Sequence, residues 1–385
     1  MSEFDVTIVG AGLAGLQCAR LLARRGVSVL IADRKADLSR GIHTTGIFVR
    51  RTLEDFDLPP SLLGPPVTHV VLYSPRGRSQ ALESPAEEFR VGAMGRIYEE
   101  LLRQAVLAGA VWRPRTRLVG LEETPEWGSV VLLQDPTRTI RLRTRFLVGA
   151  DGAASRVASL LGLSENEQWI VGAEDVMEGV PLEGPPALHC FLDPQLAPGY
   201  IGWVVHDGER FHLGAGGRPE AFSPLSAIAE LRRRVGGTFD LSAARVVERR
   251  GGRIPVGGIL PRISCRRGLL VGDAAGAVSP LTAGGLDGAM RLSRFAAEVL
   301  ATAVDKDDDA MLSLYSGAEF RARFLSRRWM RRALAAVRSP LLVEAGCALL
   351  RTQPFSRMAW HVFFGRGSFP EPDRAPLRAS AELSR

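Results

Sequence analysis

A glycine-rich turn near the N-terminus constrains the fold more than any other feature of the sequence. It follows the β-type run Phe4–Gly10, reads Gly-Ala-Gly-Leu-Ala-Gly over residues 10–15, and leads into a segment that predicts a helix over residues 13–25. Gly26 ends that helix, and a second apolar run reaches Asp33. Strand, glycine turn, helix, strand and acid in this order predict the first βαβ unit of a dinucleotide-binding fold.

Each glycine of the turn has a physical reason. Gly10 permits the tight turn, Gly12 lets the backbone approach a pyrophosphate, and Gly15 lets helix and strand pack closely. The helix start offers unpaired N–H groups and a positive dipole end to the phosphates, and Asp33 can accept hydrogen bonds from ribose hydroxyls. This pattern does not separate FAD from NAD. The predicted contact residues are Gly10, Gly12, Leu13, Ala14, Gly15, Asp33 and Arg34.

Two later segments also place an acid at the end of a predicted strand. Residues 146–152 end in Asp-Gly before a predicted helix, and residues 268–290 carry an acid, a glycine-rich turn and a long amphipathic helix. Acids at the carboxyl ends of strands lie on the edge where open α/β sheets bind ligands, although both could instead cap helices. The predicted contact residues are Asp151, Gly152, Asp273, Gly284, Gly285 and Leu286.

Together, the three segments resemble the FAD-dependent para-hydroxybenzoate-hydroxylase superfamily of monooxygenases and its geranylgeranyl reductase branch. The resemblance covers roughly residues 1–320 and selects FAD as the dinucleotide. It implies that Asp151 shapes the pyrophosphate region and backs the approach of reduced nicotinamide, and that Asp273 binds the ribityl chain. It also implies that the segment starting at Gly284 meets the flavin ring, that Arg96 opens a helix beside FAD, and that the backbone of Val119 meets adenine.

The same resemblance implies an α/β fold with a Rossmann-like FAD-binding domain, an inserted β-sheet substrate domain and a helical C-terminal extension. The FAD-binding domain is predicted to be discontinuous, and the substrate domain mainly β-sheet. The predicted ranges are 1–64, 93–165 and 265–320 for the FAD-binding domain, 65–92 and 166–264 for the substrate domain, and 321–385 for the basic helical extension.

An aromatic segment predicts part of the substrate site. Residues 199–208 are similar to the Tyr-x-Trp-x-Phe-Pro segment of geranylgeranyl reductases, with one extra residue between the aromatics and a histidine in place of the proline. Tyr200, Trp203 and His206 are therefore predicted to contact substrate; the alternative is that the two aromatics are ordinary core residues.

A second segment, residues 41–46, falls where the chain of this family passes the flavin face. Thr45 is predicted to contact substrate there. His43 is the candidate catalytic proton donor, because an unperturbed imidazole pKa of ~6.5 suits proton transfer at neutral pH. A solvated or core histidine is the alternative.

Cysteine, histidine and charge exclude other classes. Cys18, Cys190, Cys265 and Cys347 are far apart and the six histidines do not cluster, so neither a metal site nor a disulfide framework is predicted. Of 49 basic residues all but Lys35 and Lys306 are arginines, which is typical of a GC-rich genome and not of nucleic-acid binding. No nucleic-acid partner is therefore expected.

The basic charge is confined to the C-terminal segment. Residues 319–385 hold 13 arginines against five acids, whereas the rest of the chain sums to −1. Plotted as a helix, residues 319–337 place apolar side chains including Trp329 on one arc and arginines on the other. Such a helix either contacts a membrane surface or packs its apolar face on the domain and solvates its arginines. The N-terminus lacks signal-peptide features and no apolar run is long enough to span a bilayer, so a cytoplasmic protein is predicted, with peripheral contact at the inner face of the membrane as an extension.

The functional prediction is a FAD-dependent oxidoreductase that reduces carbon–carbon double bonds of an isoprenoid or other hydrophobic small molecule. NAD(P)H or another reductant is the expected transient electron donor. The first alternative is an NAD(P)H- and O2-dependent monooxygenase that hydroxylates an aromatic or polyketide-like molecule. The second is a non-catalytic prenyl-lipid escort on the same fold. A halogenase is not expected, because no lysine occurs between Lys35 and Lys306.

Overall fold

Two large β-sheets organise the chain. The computed structural model describes residues 2–123, 128–318, 321 and 324–365. The first sheet has eight strands: β1 (Glu3–Val9), β2 (Val29–Ala32), β7 (Val111–Arg113), β8 (Arg117–Glu123), β9 (Ser129–Gln134), β10 (Thr139–Gly149), β16 (Ser264–Cys265) and β17 (Gly268–Leu270).

The core of the first sheet is parallel. The spatial order is β16-β17-β10-β1-β2-β7, in which β17, β10, β1, β2 and β7 run parallel to one another. At the edges, β16 pairs antiparallel with β17, and β9 and β8 continue from β10 as antiparallel strands. Val6, Ile8 and Phe146 are fully buried in the central strands. These strands read as nearly continuous apolar runs because helices cover a parallel sheet on its faces.

The second sheet is mostly antiparallel and draws on other stretches of the chain. Its spatial order is β15-β11-β14-β13-β12-β4-β5, and only β4 and β12 pair in parallel. A separate two-stranded sheet pairs β3 with β6. The bounds are β3 (Ile47–Val49), β4 (His69–Tyr73), β5 (Ser79–Glu83), β6 (Phe89–Val91), β11 (Trp169–Glu178), β12 (Ala187–Phe191), β13 (Gly202–His206), β14 (Phe211–Gly217) and β15 (Arg245–Pro255).

Nine α-helices are assigned within the described residues. Among them, α1 packs against both α3 and α6. The bounds are α1 (Leu13–Ala23), α2 (Arg50–Asp55), α3 (Met94–Leu107), α4 (Arg156–Leu160), α5 (Pro224–Val235), α6 (Leu286–Asp305), α7 (Leu325–Ala336), α8 (Pro340–Leu350) and α9 (Phe355–Phe364).

The predicted fold class is confirmed, including the strand, turn, helix and strand order at the N-terminus. Helix α1 ends at Ala23, two residues earlier than predicted. The predicted C-terminal helix is present from Leu325 to Ala336. Residues 319, 320, 322 and 323 of the predicted range, and residues 366–385 of the basic extension, lie outside the described residues. The domain boundaries remain a prediction. The strands of the first sheet lie within residues 3–32, 111–149 and 264–270, and those of the second sheet lie within residues 69–83 and 169–255.

Candidate functional site

One large cavity runs from the glycine turn, between the two sheets, to the C-terminal helices. Its volume is about 1280 Å³. Sites for single small molecules are roughly 300–1,000 Å³, so this cavity has room for a dinucleotide cofactor together with a second ligand. It has two walls of different chemistry, and the predicted contact residues are divided between them.

The glycine turn forms the start of the first wall. Gly10 has a φ of +104°, and a Cβ there would lie 2.2 Å from the Ala150 carbonyl oxygen. A Cβ on Gly15 would lie 2.1 Å from the Gly10 carbonyl oxygen, so both positions require glycine for the fold itself. A Cβ on Gly12 would meet no protein atom within 4 Å, because it would point into the cavity. Gly12 also precedes α1 without any side-chain cap, which leaves the helix start to a ligand.

Asp33 connects the turn to the end of β2. Its Oδ2 accepts a hydrogen bond from the Ala11 amide at 2.7 Å, and its Oδ1 accepts one from the Lys35 amide at 2.7 Å. The carboxylate therefore holds the turn in place while it lines the cavity, and Leu13, Ala14 and Arg34 line it as well.

Asp151 has a capping role in addition to its place in the cavity wall. Its Oδ1 accepts a hydrogen bond from Ser155 Oγ at 2.6 Å, and its Oδ2 accepts from the amides of Arg156 and Val157 at the start of α4. Burial raises the pKa of Asp151, against these hydrogen bonds. Gly152 follows it with a φ of +84° and also lines the cavity. The capping alternative thus accounts for both carboxylate oxygens of Asp151.

Asp273 differs from Asp151 because its carboxylate faces the cavity near the start of α6. Burial raises the pKa of Asp273 to about 6. A Cβ on Gly285 would lie 3.4 Å from Asp273 Oδ1, so the two groups sit side by side. Gly285 precedes α6 without a side-chain cap, and Gly284 and Leu286 line the cavity beside it. An open glycine cradle, two uncapped helix starts and a buried acid fit the phosphates and polyol chain of FAD.

Three predicted contacts lie elsewhere. Arg96 is exposed and lines a separate shallow depression with Glu99 and Arg103, because α3 turns its other face to the cavity. Val119 is 43% exposed, at an irregularity in the pairing of β8 with β9, and is not among the residues lining the cavity. His206 is buried with both ring nitrogens engaged: Nδ1 accepts from the Gly208 amide and Nε2 donates to the Val180 carbonyl. His206 is not among the residues that line the cavity, and its contact with substrate stays a prediction.

The second wall contains the other predicted substrate contacts. Trp203 Nε1 donates to Thr45 Oγ1 at 3.0 Å, so residues distant in sequence meet at one point of the cavity. Tyr200 packs edge to face on Trp203, and its hydroxyl donates to the Thr282 carbonyl at 2.5 Å. Burial raises the pKa of Tyr200. His43 is exposed at the rim, with Nδ1 3.0 Å from the Gly251 carbonyl oxygen.

Sequence reasoning missed a buried ionic network in this wall. Glu174, on β11, accepts hydrogen bonds from Thr45, from Trp203 Nε1 at 3.2 Å, from His212 Nδ1 at 3.1 Å and from Arg250 Nη1 at 3.3 Å. The signal was available in the sequence as the adjacent acids Glu174 and Asp175 inside an otherwise mostly apolar strand. Its partners, however, lie on other strands and emerge only from the sheet register.

The C-terminal helices complete the cavity with the face opposite to the one expected. Arg331 is only 8% exposed; it donates to the Gly199 carbonyl at 2.6 Å and lies over the Tyr200 ring. Arg327 Nη1 donates to Ser279 Oγ at 3.2 Å and lines the cavity. Trp329 points outward. The alternative in which the apolar face packs inward and the arginines are solvated is therefore wrong for these residues.

Neither a metal-holding cluster nor a membrane-spanning helix is found in the described part of the chain. Within residues 2–123, 128–318, 321 and 324–365, no cluster of three or more His, Cys, Asp or Glu side chains could hold a metal ion. Over the same residues, no helix combines the length and apolar character needed to cross a membrane.

Comparison with known proteins agrees with this geometry. Residues 3–324 match the family model described as FAD binding domain. Digeranylgeranylglycerophospholipid reductase 2 of Methanopyrus kandleri is 32% identical over 333 residues, which cover 80% of this chain and 79% of the relative. A geranylgeranyl bacteriochlorophyll reductase-like protein of Thermoplasma acidophilum superposes with a TM-score of 0.84 at 20% identity over 100% of both chains.

A p-nitrophenol 4-monooxygenase of Pseudomonas putida has a TM-score of 0.70 at 18% identity, covering 100% of this chain and 97% of its own. At such identities the structural likeness shows the fold alone, whereas the family match covers most of the sequence. The chain is therefore a FAD-dependent oxidoreductase of the FAD binding domain family.

Proposed function

We propose that this protein reduces carbon–carbon double bonds of an isoprenoid lipid. The observation that carries the proposal is the apolar end of the cavity, which continues from the flavin wall between β12 and the C-terminal helices. A long hydrocarbon chain is the ligand that such a lining desolvates best. The similarity to a digeranylgeranylglycerophospholipid reductase supports the same substrate class. The apolar lining comprises Leu188, Leu192, Leu334, Leu350, Val362 and Phe363.

The two walls divide the work of such a reaction. Bound FAD, once reduced, supplies a hydride. The glycine turn and Asp273 hold the cofactor, the apolar lining orients the chain and excludes water, and the polar group around Thr45 and Glu174 adjoins the place where both meet. NAD(P)H or another reductant supplies the electrons transiently.

Anaerobic reoxidation of the flavin tests this function. The reduced holoenzyme is mixed, without oxygen, with micelles of a digeranylgeranylglycerophospholipid, and flavin absorbance is followed. We expect reoxidation and a product heavier by two hydrogens per double bond. Reoxidation that requires oxygen and yields a hydroxylated aromatic product would establish the monooxygenase alternative instead. A purified protein without flavin colour would favour the escort.

Peripheral contact with a membrane is the second part of the proposal. Large apolar side chains on α7, α8 and α9 are exposed, including Trp329 at 60% and Leu341 at 67%. Met330 and Met358 are exposed and also line the cavity, so this outer surface is continuous with the cavity mouth. Arginines surround it, which favours a bilayer containing anionic lipid. The exposed arginines are Arg332, Arg338, Arg351 and Arg357.

Co-sedimentation with vesicles tests the membrane contact. The protein should bind phosphatidylcholine vesicles that contain phosphatidylglycerol, and high salt should weaken binding because it screens the arginines. Replacing Leu341 and Leu342 by Ser should release the protein. Leu225→Ser is the matched control, since Leu225 is equally exposed but lies on α5. Absence of binding at low salt would contradict the proposal.

A further inference from the structure

A chain of buried polar groups crosses the second sheet and ends at the cavity. It begins at Asp207, the residue that follows β13, whose side chain is 18% exposed. Asp207 Oδ2 lies 3.0 Å from His212 Nε2, and the His212 side chain is only 3% exposed. His212 Nδ1 lies 3.1 Å from Glu174 Oε1, and Glu174 Oε2 accepts a hydrogen bond from the hydroxyl of Thr45. Thr45 lines the cavity. We call these four residues the Asp207–Thr45 relay.

The middle of the relay holds a proton at neutral pH. Burial opposes the charge on His212, but hydrogen bonds to Asp207 and Glu174 outweigh it and raise the pKa of His212 to about 9. Burial likewise opposes the charges of Glu174 and Asp207, yet their hydrogen bonds to His212 lower both pKa values. An imidazolium is therefore held between two carboxylates.

Two further charged groups face this chain from β15. Arg250 Nη1 lies 3.3 Å from Glu174 Oε1, and Arg250 Nη2 pairs with Glu248 at 2.7 Å. Arg250 also donates to the Thr44 carbonyl at 2.8 Å, so it fixes the segment that carries Thr45. In the resting arrangement Glu174 has one oxygen toward His212 and Arg250 and the other toward Thr45 and Trp203.

We propose that the Asp207–Thr45 relay delivers the proton that alkene saturation consumes; this inference rests on the proposed reductase function. The Nδ1 proton of His212 moves to Glu174 Oε1, and the neutral carboxyl then turns about its Cγ–Cδ bond to present this proton to the Thr45 oxygen. Thr45 accepts it and gives its own hydroxyl proton to the alkene carbon that did not receive the hydride. The alkene π pair forms the bond to that proton, and the hydride brings its own pair. Water that enters after product release returns one proton to His212 by the same groups.

The relay and His43 are competing sources of this proton. His43 lies exposed at the rim, where solvent can exchange its proton directly. The relay, by contrast, delivers its proton through a wall that is closed to solvent, at the point where Trp203 also contacts Thr45. Apolar substrate would exclude water from the cavity, and a proton stored inside the wall remains available under that condition.

The test uses the reduced holoenzyme of His212→Gln, Glu174→Gln and Thr45→Val in the anaerobic reoxidation by digeranylgeranylglycerophospholipid micelles. General acid catalysis contributes about 10²–10⁴-fold, so each variant should slow this step at least about tenfold. FAD content should stay normal, and Thr45→Ser should restore most of the rate. The wild-type rate should fall in D2O. His189→Gln is the matched control, because His189 is a half-buried histidine of the same sheet that contacts Tyr73 and no relay residue.

A second measurement does not depend on turnover. Imidazole ¹H–¹⁵N spectra of the holoenzyme should show His212 titrating near pH 9, and Glu174→Gln should lower that pKa. A His212 pKa near 6.5 overturns the relay, and so does a wild-type rate in the His212 and Thr45 variants, or His43→Gln alone abolishing the step. If wild-type reduced enzyme is not reoxidised by the lipid at all, the proposed reductase function fails, and the relay as its proton source fails with it.

Discussion

The two walls of the cavity are built from different materials. The cofactor wall is mostly backbone: a Cβ on Gly10 or Gly15 would clash with backbone atoms, whereas the cavity side of Gly12 is open. The substrate wall is mostly side chains, which come from β11, β13, β14 and β15 and meet through hydrogen bonds. Changes at the glycines of the first wall should therefore have all-or-none effects on cofactor binding or on folding, whereas changes in the second wall should give graded effects on rate.

Among variants that still fold, Gly12→Val should give the largest effect, which is on FAD binding. The added side chain would enter the open space beside the start of α1, so the chain should fold and yet lose FAD. Flavin absorbance per folded molecule, with folding judged by circular dichroism, measures this. Gly237→Val is the matched control, because its Cβ also meets no atom within 4 Å but lies away from the cavity. Normal flavin occupancy in Gly12→Val would sink the assignment of the cofactor wall.

Gly10→Val sharpens the same comparison. Its Cβ would lie 2.2 Å from backbone, and its φ of +104° excludes a β-branched residue. This variant should fail to fold at all, whereas Gly12→Val should fold without cofactor. If both variants behave alike, the distinction between a structural and a ligand-facing glycine in this turn is wrong.

The difference between the walls also explains what could be predicted from the sequence. The cofactor wall follows from contiguous segments, because one turn, one helix start and one strand-end acid form it locally. The substrate wall depends on the register of neighbouring strands. Strand β14 pairs Gly214 with Glu174 and so brings His212 close to it, and β15 pairs Arg250 with Glu174 from the other side. No local pattern specifies that meeting. His206 and Arg96 lie outside the cavity lining, which the resemblance did not indicate because it gives a position in the chain without the direction of the side chain.

Trp203→Ala should give the next largest effect. The indole is half-buried, so its loss should cost about 2 kcal/mol of the free energy of unfolding, less than the 3–5 kcal/mol of a fully buried tryptophan. Turnover per folded molecule should fall by about tenfold or more, because the indole N–H positions Thr45 and Glu174. Trp203→Phe separates the effect on stability from the effect on turnover, since it keeps an aromatic ring and loses the N–H donor. A large drop in melting temperature at constant activity would instead make Trp203 a plain core residue.

Stability should depend on pH through two histidines whose pKa values are shifted in opposite directions. His212 has a raised pKa, so its stabilising contribution is complete below pH 6.5 and is lost as pH rises through about 9. Burial lowers the pKa of His189 to about 4, so that residue costs stability as pH falls from 6.5 towards 4. Urea unfolding at pH 6 and pH 9.5 should differ on the order of 3 kcal/mol from His212. His212→Gln should remove most of that difference, and His189→Gln should leave it.

Asp273→Asn, a change in the cofactor wall, should give the smallest effect. Losing one charged hydrogen-bond acceptor should weaken FAD binding by about tenfold, because the phosphate cradle stays intact. Burial raises the pKa of Asp273 to about 6. Hydroxyl donors of FAD favour the ionised carboxylate, so binding should release a proton and affinity should rise from pH 5 to pH 7. Equilibrium titration of the apoprotein with FAD at both pH values measures this, and Asn should abolish the dependence. An unchanged pH dependence in Asp273→Asn would place the titrating group elsewhere and leave Asp273 as a neighbour of the cofactor rather than its ligand.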